Sequence, residues 1–363
     1  MNKFSFLASL RLRSLYGGRR RVLGAMLGGI MGLCMPLAHA AQAPAPTKPV
    51  KVVATFSILG DMVKEIGGEH VELTTIVGPN GDAHTFEPTP ADVKALANAQ
   101  VLVLNGLDFE AWLPRLIESA GFQGQQLLAS QGVSVRHLSP DEAAHTHHHD
   151  HADGHKHADH AEPPKHVEAG HDDHVGPDHP PLSDVDPHAW QSLENGIIYA
   201  ANITEGLIKA APAHRAYFKD RSKAFIEQMK KLDSEIKLAL AEIPENKRKV
   251  VSSHDAFGYF SQAYGVHFVS VAGLSSQAEP SAREMAEIID AVKKEGISGV
   301  FVENTTNPKL VSQIARETGA TVGGTLYSDA LAASGEPAAS YLGMMTWNAG
   351  QLIYVLKGEQ SKG

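Results

Sequence analysis

The sequence predicts an α/β protein of two lobes, each built on a parallel sheet flanked by helices, with one long rigid helix between them. Three observations carry this. Short apolar runs alternate with stretches of helical periodicity, the alternation returns after residue 247, and the interval holds a helical pattern of about thirty residues, 214–243. With 363 residues and 43% hydrophobic content, the chain can bury two ordinary cores.

In the first half "VKVVATF" reads as a buried strand, "SILGDMVKEIGG" as a helix stopped by glycine, and "VELTTIV" as a second strand. "TPADVKALANA" is the next helix, "QVLVLN" the third strand, and "LDFEAWLPRLIESAG" a further helix. Either "QLLA" or "VSVRHL" supplies a fourth strand. Apolar strands separated by helices indicate parallel pairing. The second half repeats the scheme: strand "KVVSS", helix "DAFGYFSQAYG", strand "VHFVSV", helix "SAREMAEIIDAVKKEG", strand "SGVFVEN", helix "PKLVSQIARETG" and strand "TVGGTLY". Both halves run Glu-Pro, helix, apolar strand, Asn, which suggests a loosely duplicated unit. A helix over 214–243 would be roughly 45 Å long, more than one small domain needs, so it should connect the lobes as a strut. A long helix lying along one lobe is the alternative.

The expected organisation is therefore an export signal at 1–40, a linker at 41–49, a first lobe at 50–213, the connecting helix at 214–243 and a second lobe at 247–360. Residues 1–40 carry six basic and no acidic side chains, then the apolar run "VLGAMLGGIMGLCMPL", then "AHA" with cleavage expected after Ala40. A retained anchor is the alternative, and "RRRVLG" leaves the twin-arginine route open beside the general one. Loss of those six charges takes the formal net charge from −9 to −15, which argues against nucleic acid or an anionic membrane as partner. The single cysteine, Cys34, lies in the signal, with Leu33 where a lipidation motif wants a small residue, so a soluble periplasmic protein without disulfides or thiolate ligands is expected.

In open parallel sheets ligands bind beyond the carboxyl ends of the strands. Four loops placed there hold metal-ligand side chains: "GPNGDAHTFEPTP" with His84, "DVDPHAW" with His188, "VVSSHDAFGYF" with His254 and "TLYSDALA" with Asp329. Three imidazoles and a carboxylate are a complete tetrahedral set for an ion such as zinc. Each residue alone could cap a helix or satisfy a buried polar group. The reading gains weight because there are two per lobe at equivalent places, which a cleft would gather.

"GDAHTFEPTPADV", "DPHAW", "SSHDAFGYFSQAYGV", "EPSAREMAEIIDAVKKEGI", "VFVEN" and "GGTLYSDALA" together resemble the zinc- and manganese-type metal-receptor group of ABC-importer solute-binding proteins, over nearly all of the chain after the signal. The resemblance implies two roughly four-stranded parallel lobes joined by a rigid helix, an ion between them held by His84, His188, His254 and Asp329, and delivery to a membrane permease. It implies a binding protein, not an enzyme. Relatives selective for manganese often carry Glu at the place of His254; a third imidazole favours Zn2+ over Mn2+. Glu303, Glu87 and Asp186 flank the ligand loops and are candidates to accept ring N–H groups or to cap helices.

Within the first lobe, just ahead of the His188 loop, lies "HTHHHDHADGHKHADHAEPPKHVEAGHDDH", residues 145–174. Its position matches the His-rich loop of zinc-type members of the group. Polar, Pro-punctuated and acidic, it should be disordered without metal over about 140–182. His145, His147, His148, His149, His151, His155, His157, His160, His166, His171, His174 and His179 form the expected low-affinity collecting arm, or else a solvated linker or a histidine store. Neutral imidazole is the ligand form, so that binding should fade below about pH 6. The expected partners are the permease and a periplasmic zinc chaperone, and the protein is expected to be a monomer. A secreted zinc hydrolase needs an open coordination position, and the sequence has neither HExxH nor GxSxG. An adhesin or a metal chaperone without a transporter is a third class.

Overall fold

The computed structural model describes residues 48–138, 184–273, 280–297 and 299–358. The expected signal at 1–40 with Cys34, most of the linker, and all twelve histidines between 145 and 179 lie outside the described residues.

The first sheet comprises β1 (Val50–Phe56), β2 (Val71–Val77), β3 (Val101–Leu104) and β4 (Gln125–Leu128), all parallel, in the order β2-β1-β3-β4. The second comprises β5 (Lys249–Ser252), β6 (His267–Ser270), β7 (Gly299–Val300) and β8 (Thr321–Val322), also parallel, in the corresponding order β6-β5-β7-β8. In each sheet the chain leaves the first strand to one side and then crosses to the other. This puts a crevice beyond the carboxyl ends of β1 and β5.

The helices are α1 (Ser57–Gly67), α2 (Pro90–Ala97), α3 (Leu113–Ala120), α4 (Leu193–Ala210), α5 (Arg215–Ala241), α6 (Gly258–Tyr264), α7 (Ala282–Glu295), α8 (Lys309–Thr318) and α9 (Tyr341–Leu356). Thr89 and Asp92 close a capping box with Pro90 at the first position of α2, and Ser281 and Glu284 do the same for α7. α5 has 27 residues and buries Phe218, Phe225, Met229, Ile236 and Leu240, spaced seven and four apart, as one stripe. It packs against α1 and α4 from the first half and against α6 and α9 from the second. It therefore touches both halves and does not lie along one of them.

Apart from the lengths of β7 and β8, four elements differ from the sequence reading. The helix expected from Leu107 begins only at Leu113, because Gly106, Leu107 and Asp108 all take positive φ and fold the chain into a turn. The helix expected from Asp255 begins at Gly258, after the bend that carries His254. "VSVRHL" is no strand; its one pairing is an antiparallel bridge of His137 with Val185. α9 follows the last element that periodicity indicated, and buries Tyr341, Met344, Met345, Asn348, Ala349, Leu352, Val355 and Leu356.

One continuous core runs through the first lobe, α5, α6 and α9 and reaches Val250 of the second sheet and Phe301 just past β7. A smaller separate core, with Val251, Met285, Ile288, Val300 and Ile314, lies under α7 and α8. The second sheet thus joins the larger core through Val250, with Val355 of α9 against Gly299.

Candidate metal centre

Each of the four loops is held by its own hydrogen bonds. In the loop after β2, Trp112 Nε1 donates to the Ala83 carbonyl at 2.8 Å. Asp82 accepts from the His84 backbone N–H at 2.8 Å and from the Thr85 hydroxyl at 3.0 Å. His188 precedes a short 3-10 turn, Ala189–Gln191, and Asn105, just past β3, donates to the Pro187 carbonyl at 3.0 Å. Beyond β5 the backbone N–H groups of Ser253 and His254 both donate to Glu303 Oε1, at 2.8 and 3.0 Å. The Asp329 loop is gripped from two sides. Trp190 Nε1 and Gln191 Nε2 donate to the Ser328 carbonyl at 2.8 and 2.7 Å, while the Asn348 amide pairs with both the N–H and the carbonyl of Tyr327.

These loops bring His84, His188, His254 and Asp329 to one point, with one potential donor atom from each inside a 4.8 Å sphere of mutual distances. His84 Nε2 is 3.3 Å from His188 Nε2 and 3.6 Å from Asp329 Oδ2. His188 Nε2 is 3.5 Å from Asp329 Oδ1, and His254 Nε2 is 3.0 Å from Asp329 Oδ2. The edge of a tetrahedron around zinc, with bonds near 2.0–2.1 Å, is about 3.3 Å. These four separations bracket that value, and the His254 nitrogen stays within 4.8 Å of the other two imidazole nitrogens. His188, His254 and Asp329 are fully buried, and a wall of Phe56, Phe109 and Trp190, with ring centroids 4.8–5.0 Å apart, backs the site.

The outer nitrogens are also held. Asp186 Oδ1 lies 2.8 Å from His188 Nδ1, which leaves Nε2 with its lone pair toward the centre. Glu303 Oε2 stands 2.6 Å from His254 Nδ1, although the ring N–H is not well aligned with it. The third flanking acid, Glu87, is exposed, and Asp82 bonds the His84 loop in its stead.

The electrostatics fit a cation. Burial lowers the His84 ring to about 4, with the Asp329 charge opposing this and the neighbouring imidazoles adding to it. Burial also disfavours the charged form of His254, but the Glu303 and Asp329 carboxylates outweigh it and raise that ring well above its usual value. For Asp329 burial pushes upward, yet the surrounding imidazoles win and keep its carboxyl far below the usual range. Among the described residues, neither oxygen of Asp329 has a well-formed hydrogen bond, although both are fully buried. An ionised, unsatisfied carboxylate facing three imidazole nitrogens suits a divalent ion as bound substrate. Four protein donors fill a tetrahedral shell and leave no position for an activated water.

Periodicity could not identify the residues that support this set. Arg136 bonds Asp186, Phe109 meets the His84 ring edge-on at 4.8 Å, and Asn348 holds the Asp329 loop. Asn105 ends the quoted strand "QVLVLN", the only one of these carrying a local signal.

Residues 52–354 match the family described as ZnuA, zinc-uptake complex component A, periplasmic. The chain is 31% identical over 333 residues to the iron ABC transporter substrate-binding lipoprotein MtsA of Streptococcus pyogenes serotype M1, covering 90% of this chain and 94% of the relative. It is 30% identical over 305 residues to the manganese ABC transporter substrate-binding lipoprotein PsaA of Streptococcus pneumoniae, covering 82% and 86%. Among solved structures, the periplasmic zinc binding protein TroA from Treponema pallidum aligns with a TM-score of 0.70 and 26% identity, over 85% of this chain and 99% of that one.

Proposed function

Because the chain belongs to the ZnuA family, the zinc- and manganese-type metal receptors of ABC transporters, which bind substrate and are not enzymes, we propose that its cargo is Zn2+. His84, His188, His254 and Asp329 take up the ion, and the loaded protein delivers it to the membrane permease. Substrate-binding proteins of this group work with a permease and its ATPase. Export is consistent with relatives named as lipoproteins or periplasmic proteins, and cleavage after Ala40 belongs to the proposal. Mass spectrometry of the N-terminus of secreted protein tests that cleavage.

The observation that carries the zinc reading is the donor set: three imidazole nitrogens and one buried carboxylate, all within 4.8 Å of one another, with four of the six separations at 3.0–3.6 Å. Borderline nitrogen ligands at tetrahedral spacing suit Zn2+, whereas Mn2+ prefers more oxygen ligands and higher coordination. Capture needs no chemistry beyond desolvation and proton displacement. The ion trades its water shell for four preplaced donors, and the Asp329 charge offsets part of the cost of burying a dication.

Manganese or iron is the second reading, favoured by the two streptococcal relatives, an iron and a manganese ABC transporter substrate-binding lipoprotein. Calorimetric titration of metal-stripped protein with Zn2+ and with Mn2+ separates the two, with elemental analysis of protein isolated from its native compartment alongside. Tighter one-site binding of Mn2+ would overturn the zinc reading.

A further inference from the structure

We propose that Arg136 is a positioning residue for the bound metal: through Asp186 it sets the orientation of the His188 ring, and it is itself held in place by α6 of the second lobe. This rests on the reading of His188 as a ligand.

The geometry forms an unbroken chain of contacts. Asp186 is fully buried and divides its two oxygens. Oδ1 accepts from the His188 backbone N–H at 2.9 Å and lies 2.8 Å from the ring Nδ1. Oδ2 accepts from Arg136 Nη1 at 2.9 Å, and the Arg136 side chain is only 11% exposed. The Arg136 backbone is fixed at both polar groups, its N–H donating to the Tyr259 hydroxyl at 2.8 Å and its carbonyl accepting from the Asp186 N–H at 2.9 Å.

The guanidinium also lies against the start of α6. A Cβ on Gly258 would stand 2.4 Å from Arg136 Cζ, 2.5 Å from Nη1 and 2.6 Å from Nε. Only a residue without a side chain lets the planar group rest there. Tyr259 and Gly258 are second-lobe residues, whereas Arg136, Asp186 and His188 come from the first. The aim of one ligand therefore depends on how the two lobes meet.

The physical role follows. A buried carboxylate that orients a ligating imidazole must itself be held, and Arg136 is the group that faces its second oxygen. A planar fork that can lie on Gly258 while bonding Asp186 is not reproduced by an ammonium.

The test is a double-mutant cycle read by chelator competition with Zn2+, with melting of each metal-free variant as a folding control. Arg136→Gln should weaken zinc binding about 10–100-fold. Arg136→Lys should recover part of that loss. Gly258→Ala, which displaces the guanidinium without touching a ligand, should weaken binding in the same direction. In a His188→Ala background, Arg136→Gln should change zinc affinity less than about twofold, because its route to the ion is gone. Wild-type affinity in Arg136→Gln, or an equal loss in both backgrounds, would overturn the proposal. Should Arg136→Gln not fold, the same cycle with Arg136→Lys and Gly258→Ala decides the matter. An unweakened His188→Ala alone would instead refute the ligand reading beneath it.

Discussion

Asp61 lies on α1, and its Oδ2 accepts the backbone N–H of Tyr341 at 2.7 Å, at the first turn of α9. Burial is the main reason its carboxyl rises from 3.8 to about 6; the Tyr341 bond and Lys64 oppose the rise and Glu65 adds to it. The folded protein thus holds this proton more tightly than the unfolded chain. The resulting stability is fully present below pH 3.8 and is lost as pH rises through 6. A difference of about 2.2 units corresponds to about 3 kcal/mol. Asparagine keeps an acceptor for the Tyr341 N–H and carries no charge. Asp61→Asn should therefore match wild type near pH 4 and exceed its stability by up to about 3 kcal/mol near pH 8. Urea melts of chelator-treated protein from pH 4 to 8 measure this, and the wild-type minus variant difference isolates Asp61 from the other acids. Parallel stability curves, offset by a constant, would refute the argument.

Three further expectations concern the metal. Saturating zinc, a thousandfold above its dissociation constant, should stabilise the wild type by about 4 kcal/mol, and His188→Ala or His254→Ala should lose most of that gain in paired melts with and without zinc. The Glu303 and Asp329 charges outweigh burial and favour the protonated form of His254, whereas burial holds the His84 ring at about 4. Calorimetry in buffers of different ionisation enthalpy should then register net proton release on zinc binding near pH 7, with affinity falling as pH drops; no release would contradict the raised His254. Deleting residues 145–179 should leave one tight zinc ion, remove several weaker ones, and abolish the binding that fades below about pH 6, as counted by equilibrium dialysis.

Much of the fold was legible because periodicity is a local property. The apolar runs at Val50–Phe56, Val71–Val77 and Val101–Leu104 and the helical stripe of α5 were readable without tertiary information. The two-residue strands β7 and β8 were read too long: only Gly299–Val300 and Thr321–Val322 pair as strands, with a lone bridge of Glu303 to Leu326 beyond them. The start of α3 was missed because a turn of positive φ can begin with Gly106, and its neighbours Leu107 and Asp108 give no warning of it.

The amino-acid sequence by itself determined which donor types follow which strands, and its resemblance to the metal-receptor group implied a divalent metal ion as cargo. Loop position after a strand and side-chain chemistry are both written in a few consecutive residues. Only the tertiary structure decided that His84, His188, His254 and Asp329 share a 4.8 Å neighbourhood, that Asp186 and Glu303 face the outer nitrogens while Glu87 does not, and that Arg136 reaches Asp186 across Gly258. Asp186 and His188 are neighbours in sequence, but the other distances join residues 49 to 245 positions apart and follow from how two sheets and α5 pack, a property of the whole core that no local window contains.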